Sequence, residues 1–200
     1  MSFLHVTLVV LARALVLSIL STPFAPAWAG QPTFTQIDFP GATGTLAFGV
    51  NSQGDIVGNQ FKVSCCPFQF SLSGFQLRGD TFSIIDVPGA HPNSTSAMGI
   101  NDRGDIVGTY ATGESFTSHG YLLSDEIYTT IDVPVALGSG TFANAINSRG
   151  DIVGSYSDSS GNSHGFLLRE GTFTPIGVPG AACGGNVASG INSNGDVVGS

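Results

Sequence analysis

Two histidines, His119 and His164, each follow a serine, Ser118 and Ser163, at matching places in similar segments. Histidine is a common general base near neutral pH, and a serine hydroxyl is a common nucleophile. Adjacent residues of a β-strand point to opposite faces, so a neighbouring serine and histidine pair poorly. We therefore expect each histidine to be structural, bonded to a neighbouring sheet.

Three aspartates, Asp38, Asp86 and Asp132, recur at one position of a repeated pattern, where a fourth copy has Gly177. Carboxylates that converge on a channel could serve a hydrolase or bind a cation. Acid–base catalysis, however, needs two carboxylates in unlike environments, and repetition makes these environments alike. We expect strand-end aspartates that accept backbone N–H bonds before a turn.

Metal ligation is poorly supported by the residue spacings. The segment Asp158–Asn162 and the Asn-x-x-Gly-Asp turns resemble calcium loops, but each offers one or two carboxylates where Ca²⁺ takes six to eight oxygens. No Cys-x-x-Cys or Cys/His spacing typical of zinc occurs. The sequence therefore predicts no metal site, no cofactor and no catalytic residue.

The tripeptide Arg-Gly-Asp occurs three times, at 78–80, 103–105 and 149–151. It could mark integrin-type adhesion, although a short motif is only a hypothesis. Two of the three copies coincide with a repeated hairpin turn, in which Gln53 or Asn194 replaces the arginine elsewhere. Turn chemistry is the preferred explanation.

The strongest feature of the sequence is an internal repeat. The block Asn-x-x-Gly-Asp-(Ile/Val)-Val-Gly begins at Asn51, Asn101, Asn147 and Asn192. A second marker, an aromatic residue followed by Thr or Ser, recurs in phase at Phe34, Phe82, Tyr128 and Phe173. Each period of roughly 45 residues holds four short runs rich in aromatic and β-branched residues, which favour strands.

These features predict an all-β fold, a β-propeller-like array of four-stranded blades. Adjacent apolar residues such as Ile106 and Val107 point to opposite sheet faces, so both faces need burial between neighbours. The repeats are placed at about 33–72, 73–118, 119–163 and 164–200. Since the first and last lack a strand, the array is either a small ring with one thin blade or an incomplete array, which we favour.

The repeated residues resemble the HAF-repeat family of probable extracellular bacterial proteins. The resemblance rests on His119-Gly-Tyr and His164-Gly-Phe, on the Gly-Ile-Asn-x-x-Gly-Asp-Ile-Val-Gly block at 99–108, and on Ile-Asp-x-Pro-Gly-Ala at 85–90. It covers residues 33–200. The first repeat departs from it, with Ser73 in the histidine position and a Cys65-Cys66-Pro67 insert. The resemblance implies secretion and a repeated β fold, but no reaction.

Residues 1–29 are predicted to be a signal peptide, followed by the repeat domain at 30–200. An apolar run, Val6–Leu20, precedes an Ala27-Trp-Ala29 cleavage site, and the run is shorter than a membrane span needs. A transmembrane anchor is the alternative. After cleavage the protein is expected to be secreted, extracellular or periplasmic, with no membrane attachment. The net charge of −8, made more negative by loss of Arg13, would repel nucleic acid.

Three cysteines, Cys65, Cys66 and Cys183, are predicted to lie on one rim of the array. In a closed ring, a bridge from Cys183 to Cys65 or Cys66 would fasten the first repeat to the fourth. Free or vicinal cysteines are the alternative.

The function predicted from the sequence is that of an exported, non-catalytic repeat protein. It would act as an extracellular scaffold or binding module for a polymer or a protein, through variable loops such as 59–73 and 109–118 on the rim opposite the Asn-x-x-Gly turns. One alternative is a propeller-type enzyme that acts on extracellular polysaccharide. Another is a truncated fragment without independent function.

Overall fold

The structure is a computed structural model that describes residues 34–136, 140–177 and 185–200. Residues 37–200 form one compact unit, which holds every strand described below. The described residues contain only strands, turns and loops, so the predicted all-β class is confirmed. In this part of the chain, no helix has the length and hydropathy of a membrane crossing.

Fourteen antiparallel strands in the described residues form three sheets of four strands and one of two. The first sheet comprises β1 (Gly44–Val50), β2 (Ile56–Ser64), β3 (Gln69–Arg78) and β4 (Thr81–Ile85). The second comprises β5 (Ser96–Ile100), β6 (Ile106–Thr112), β7 (Thr117–Ser124) and β8 (Ile127–Ile131). The third comprises β9 (Thr141–Ile146), β10 (Ile152–Ser157), β11 (Ser163–Arg169) and β12 (Thr172–Ile176). The last pair is β13 (Ala188–Ile191) and β14 (Val197–Gly199).

The three full sheets share one register. In each, the last glycine of the Asn-x-x-Gly-Asp-Ile-Val-Gly block lies opposite the aromatic residue of the following strand; Gly108 pairs with Tyr121, for example. A bulge in the adjoining first strand follows Ala97, and bulges recur at the equivalent places. A Cβ at Gly108 would overlap the carbonyl oxygen of Ser96, so the close approach of β5 requires glycine there.

Consecutive sheets pack against each other through apolar side chains. Ile106 and Val107 are both fully buried, and they belong to two different cores. Ile106 lies with Val57 of the first sheet, whereas Val107 lies with Ile152 of the third. The second sheet is therefore covered on both faces by its neighbours, as the adjacent apolar residues in the sequence predicted.

The first strands of successive sheets also contact one another, β1 with β5, β5 with β9, and β9 with β13. The last strands of the full sheets, β4, β8 and β12, each pair with one strand only. The first strand of each later sheet also contacts the second strand of the sheet before it, β5 with β2, β9 with β6 and β13 with β10.

The sheets begin at a different point of the period from the predicted repeats. A predicted repeat boundary at 72/73 cuts through β3, and one at 163/164 cuts through β11. The period fixes the repeat length, but it does not determine which four consecutive strands share hydrogen bonds. The structure assigns the strand that contains Gly74, Gly120 or Gly165 to the preceding sheet.

The strand expected at Phe34–Asp38 does not form; these residues are irregular. In the other repeats the matching strands, β4, β8 and β12, pair only with the strand before them. Among the described residues, no strand pairs with the segment 34–38, and a β-strand needs a partner for its backbone groups. The predicted signal peptide at 1–29 and Cys183 lie outside the described residues.

Candidate functional site

One end of the sheets, which we call the turn rim, carries the hairpin turns 51–55, 101–105, 147–151 and 192–196. The Asn51 side-chain amide donates to the Asn101 backbone carbonyl over 3.2 Å. Asn101 donates likewise to Asn147 (3.2 Å), and Asn147 donates to Asn192 (3.1 Å). A ladder of asparagines therefore joins each sheet to the next.

Each ladder asparagine also closes its own turn. The Oδ1 atom of Asn101 accepts backbone N–H bonds from Arg103 (2.9 Å) and Asp105 (3.0 Å), and its Nδ2 group donates to the Asp105 carboxylate (2.8 Å). The same three bonds recur in the turn that begins at Asn147. Asparagine supplies both acceptor and donor atoms, which the turn and the ladder use together.

Buried aspartates complete the turn rim. Asp105 accepts hydrogen bonds from Arg103 (2.9 Å) and Ser124 (2.6 Å). Asp151 is also buried, and it accepts two bonds from Arg169 (2.9 and 3.0 Å) and one from Arg149 (3.1 Å). These carboxylates are paired and hydrogen-bonded, as buried charges must be.

The pKa values of these aspartates reflect their partners. The Arg169 guanidinium, with help from Asn147 and Arg149, holds the pKa of Asp151 well below its ordinary value. Burial opposes ionisation of Asp105, but bonds from Ser124, Asn101 and Arg103 together lower its pKa. Both groups are therefore charged structural anchors and unsuited to proton transfer near neutral pH.

Two of the Arg-Gly-Asp sequences lie in this network. In 103–105 and 149–151 the arginine binds the aspartate two residues later, and that aspartate is buried. In the third, Arg78 binds Asp55 of the preceding turn. The first two copies cannot present a free arginine and a free carboxylate to a partner, which agrees with turn chemistry as their explanation.

The opposite end of the sheets, which we call the loop rim, carries hairpins 65–68, 113–116 and 158–162 and the links between sheets. Here His119 lies between two partners. Its Nδ1 atom is 2.9 and 3.0 Å from the Asp132 carboxylate oxygens, and its Nε2 atom is 2.8 Å from the Thr112 hydroxyl. The Tyr110 ring lies beside it, with centroids 5.3 Å apart. A hydroxyl, an imidazole and a carboxylate thus form one hydrogen-bonded chain.

The third sheet holds its histidine differently. His164 Nε2 is 2.8 Å from the carboxylate of Asp158, which occupies the place of Thr112, while Gly177 occupies the place of Asp132. His164 is also stacked on Tyr156, with ring centroids 5.2 Å apart. In both sheets an aspartate and a tyrosine fix the ring, so the hydroxyl is not common to the two sites.

The expected bond from each histidine to a neighbouring sheet is therefore wrong. Thr112 is the last residue of β6 and Asp132 follows β8, both in the sheet of His119, and Asp158 belongs to the hairpin that precedes His164. In both sheets the strand register places a tyrosine opposite the histidine: Tyr110 lies opposite His119, and Tyr156 lies opposite His164. Thr112 and Asp158 each lie two residues beyond that tyrosine, close to the histidine ring.

The strand-end aspartates have side-chain partners. Asp86 accepts a hydrogen bond from the Ser73 hydroxyl (3.3 Å), and burial raises its pKa despite that bond. Asp132 pairs with His119. Asp38 lies in the irregular segment before β1. The residue after it keeps the repeated turn: Phe39 donates its backbone N–H to the Thr45 hydroxyl, as Val87 donates to Thr95. Repetition in sequence therefore does not produce identical carboxylates.

In the segment Asp158–Asn162, which resembles a calcium loop, the Asp158 carboxylate oxygens already accept hydrogen bonds from nearby residues. Asp158 accepts backbone N–H bonds from Ser160 (2.8 Å) and Asn162 (3.0 Å) in addition to the bond with His164. Together these bonds hold the pKa of Asp158 well below its ordinary value, and the His164 bond makes the largest contribution. Among the described residues, no group of three or more His, Cys, Asp or Glu is placed to hold a metal ion.

The middle hairpin of the first sheet is longer than its counterparts. Strands β2 and β3 have 9 and 10 residues, whereas β6 and β7 have 7 and 8. The additional residues extend the loop rim and expose Val63, Phe68 and Phe70. Cys65 and Cys66, at the tip, are exposed and form no disulfide within the described residues. A bridge from either to Cys183 stays a prediction.

A groove of about 620 Å³ runs beside this hairpin. Its wall comes from the extended strands, from the turn before β1 and from the link between the first two sheets; the residues that matter chemically are Thr43, Lys62, Gln69, Phe70, Ser71 and Asn93. The sequence indicated that this part of the chain departs from the repeat, but it did not show that the departure forms a groove.

Comparison with protein-family models, with curated proteins and with solved structures finds no match to this chain. The fold and the site together define an all-β protein of repeated antiparallel sheets. The asparagine and aspartate side chains of its turn rim hydrogen-bond to one another and to the backbone. Aromatic side chains of its loop rim are exposed to solvent.

Proposed function

We propose that the chain is an exported, propeller-like array that acts as a non-catalytic binding module for an extracellular polymer or protein. Its sheets have the strand number of propeller blades, and each consists of consecutive antiparallel strands. The burial of Ile106 and Val107 in separate cores supports the stacking that blades require. Contact between successive first strands supports an arrangement in which these strands lie nearest a common axis.

Export is part of this proposal. It rests on the apolar run and the Ala27-Trp-Ala29 site in the sequence. Secretion into the medium or the periplasm, with a new N-terminus at Gly30, is the expected result. N-terminal sequencing of the protein collected outside the cytoplasm tests it, and recovery of an uncleaved chain in the membrane fraction would contradict it.

The observation that carries the binding proposal is the difference between the two rims. On the turn rim, asparagines and aspartates use their polar atoms on one another and on the backbone. On the loop rim, aromatic side chains are exposed, Phe68 at 76%, Phe116 at 57% and Phe70 at 48%, whereas the exposed apolar residues beside the turn rim include the aliphatic Val50 and Ile127. Exposed aromatic groups beside polar loops are typical of surfaces that meet a ligand.

A glycan array probed with the secreted protein tests this function, together with affinity capture on defined extracellular polymers. We expect binding that Phe68→Ser with Phe70→Ser weakens. A double substitution of exposed apolar residues elsewhere, Phe48→Ser with Ile127→Ser, serves as the control. Binding that the control weakens equally, or no binding to any glycan or extracellular protein, would contradict the proposal.

A second candidate function, a hydrolase that removes ester groups from extracellular polysaccharide, is favoured by one observation. Thr112, His119 and Asp132 are linked in the order nucleophile, base and orienting carboxylate. The third sheet argues for a structural role, because His164 is fixed by Asp158 without a hydroxyl. If the chain were a hydrolase, Thr112→Val would abolish turnover of a polymer substrate while leaving its binding intact. We expect the parent protein to show no turnover, so that Thr112→Val changes nothing.

A further inference from the structure

The last pair of strands exposes a valine that is buried in every full sheet. The valine before the last glycine of the repeated block is Val57, Val107 or Val153 in the full sheets, and each of these is 0% exposed. Its counterpart on β14, Val198, is 66% exposed. In the first sheet this valine packs against the following sheet, since Val57 lies in one apolar cluster with Ile100. The pair β13–β14 therefore presents an uncovered face of the same kind, which we call the tail face.

The first sheet exposes the other half of this contact. An aliphatic residue precedes each Asn-x-x-Gly turn, and Ile100 and Ile146 are each 7% exposed because they pack against the sheet before them. Their counterpart in β1, Val50, is 66% exposed. Ala47 is exposed as well, whereas its counterpart Ala97 is fully buried. Ala47 and Val50 define the head face.

The interfaces inside the chain show what the two faces fit. The clustering of Val57 with Ile100 recurs at the next interface, so one kind of contact joins successive sheets. Within one chain Val198 and Val50 both stay largely exposed, so they do not cover each other. A second copy of the chain can bring its head face to the tail face of the first, and this contact would repeat an interface that the chain already forms between its own sheets.

The asparagine ladder stops at the same two faces. Asn51, Asn101 and Asn147 each donate a side-chain amide bond to the next sheet. Asn192 is exposed, and among the described residues its amide donates only to Asp196 of its own turn. The tail face therefore offers the donor for one further bond between sheets, and the Asn51 carbonyl at the head face is the equivalent acceptor.

From these features we infer that copies of the chain associate head to tail, with the head face of one copy packed on the tail face of the next. Inside the chain, β5 contacts β1, β2 and β3 of the sheet before it, and β13 and β14 are the counterparts of the first two. Burial of the exposed valines favours the contact. Because two different faces meet, the copies either close into a ring or extend as a filament.

The test measures the mass of the purified protein by sedimentation and light scattering over a wide range of concentration. We expect the average mass to rise above that of one chain as the concentration rises. A fixed multiple of one chain indicates a ring and an open series indicates a filament, and either supports the inference. Hydrogen exchange at residues 47–50 and 197–199 should slow over the same range, because these strands become covered.

Two single variants determine which faces meet. Val50→Asp leaves the tail face intact, and Val198→Asp leaves the head face intact. Each should weaken self-association at least about tenfold, because an unpaired charge is costly to bury. An equimolar mixture of the two should nevertheless form a complex with one copy of each. Ile127→Asp, at a residue of β8 that is also 66% exposed, is the matched control and should associate like the parent.

The substituted side chains are exposed, so circular dichroism and thermal unfolding of each variant should match the parent at low concentration. A mass of one chain at every concentration would overturn the inference, and slow exchange in that monomer would mean that the two faces are covered within one chain. Undiminished self-association of Val50→Asp or of Val198→Asp alone would show that like faces meet, which also overturns it. None of these results bears on the proposed binding function, whose exposed aromatic residues lie on the loop rim.

Discussion

Asn101 and Asn147 lie 46 residues apart, and a 3.2 Å hydrogen bond from the side-chain amide of the first to the backbone carbonyl of the second joins their sheets. The same bond recurs on either side, from Asn51 to Asn101 and from Asn147 to Asn192. Each turn therefore fixes its neighbour as well as itself. The asparagine therefore has two roles in each repeat: it closes its own turn, and it joins its sheet to the next one.

Loss of one ladder asparagine should destabilise the protein markedly. Asn101→Ala leaves the backbone N–H groups of Arg103 and Asp105 and the carbonyl of Asn147 without this partner, two of them at buried residues. An unsatisfied buried group costs about 1–3 kcal/mol, so we expect the free energy of unfolding to fall by about 3 kcal/mol. Urea unfolding measures it.

Asn192→Ala is the matched control for this variant. Asn192 is exposed, and its side chain closes its own turn, with bonds to Asn194 and Asp196. Its backbone carbonyl, which accepts the bond from Asn147, is unaffected by the substitution. The loss should be about 1 kcal/mol. Equal losses for the two variants would show that the bond between sheets contributes nothing.

The bulge beside Gly108 makes a second prediction. A Cβ there would overlap the Ser96 carbonyl oxygen and crowd the Tyr121 ring, so Gly108→Ala must displace β5 from β6. We expect a loss of about 3 kcal/mol, the upper range for overpacking. Gly177→Ala, where no atom lies within 4 Å of the added Cβ, should be close to neutral. Thermal unfolding compares the two, and a tolerated alanine at 108 would contradict the register.

The positions of most strands could be predicted from the sequence, because strand formation depends on two local features, the repeated runs and the pattern of apolar residues within them. Four copies of each run show where strands recur, and the adjacent pair Ile106-Val107 shows that both faces of a sheet are covered. The sequence did not determine where one sheet ends and the next begins. That choice depends on pairing between strands, and Phe34–Asp38 remains irregular although its residues favour a strand.

Long-range partners were the part that sequence reasoning missed. Strand alternation correctly separated Ser118 from His119, but the hydroxyl that reaches the ring belongs to Thr112. The hairpin register places Thr112 opposite Thr117, near the ring. The repeat period alone does not show which residues of two paired strands lie opposite each other, so this contact could not be predicted. The asparagine ladder was missed for a similar reason, since the local turn already explains each asparagine.

Acid should weaken the turn rim. Bonds from Arg169 lower the pKa of Asp151 in the folded protein, and Asp105 has a lowered pKa as well. A lowered pKa contributes stability above the pKa of the unfolded chain, near 4, and that stability is lost as the pH falls below it. Urea unfolding between pH 3 and pH 7 should show this loss. Asp86, whose pKa is raised by burial, offsets a part of it.

Asp151→Asn identifies the group responsible for this acid loss. The variant should be less stable at pH 7, because the Arg149 and Arg169 guanidiniums lose their shared carboxylate. Its stability should nevertheless fall less than that of the parent between pH 5 and pH 3, since one titrating group is gone. An acid loss as large as that of the parent would exclude Asp151 as a contributor.

The hydroxyl of Tyr121 offers a substitution that should stabilise the protein. Tyr121 is fully buried, its hydroxyl has no hydrogen-bond partner among the described residues, and burial raises its pKa far above the ordinary value. The equivalent residues in the first and third sheets are Phe75 and Phe166, which fill the same space without a hydroxyl. Removal of an unsatisfied buried group relieves a cost of about 1–3 kcal/mol, so Tyr121→Phe should raise the free energy of unfolding by about 1 kcal/mol.

Tyr110→Phe is the matched opposite, because it removes one hydroxyl from the same sheet. The hydroxyl of Tyr110 is 2.8 Å from that of Thr130, so its removal breaks a hydrogen bond and should lower the free energy of unfolding by about 1 kcal/mol. Denaturant unfolding of the two variants at one pH should shift the midpoint in opposite directions. A destabilised Tyr121→Phe protein would mean that the Tyr121 hydroxyl has a partner, such as a bound water, and that the second sheet uses its core aromatic differently from its neighbours.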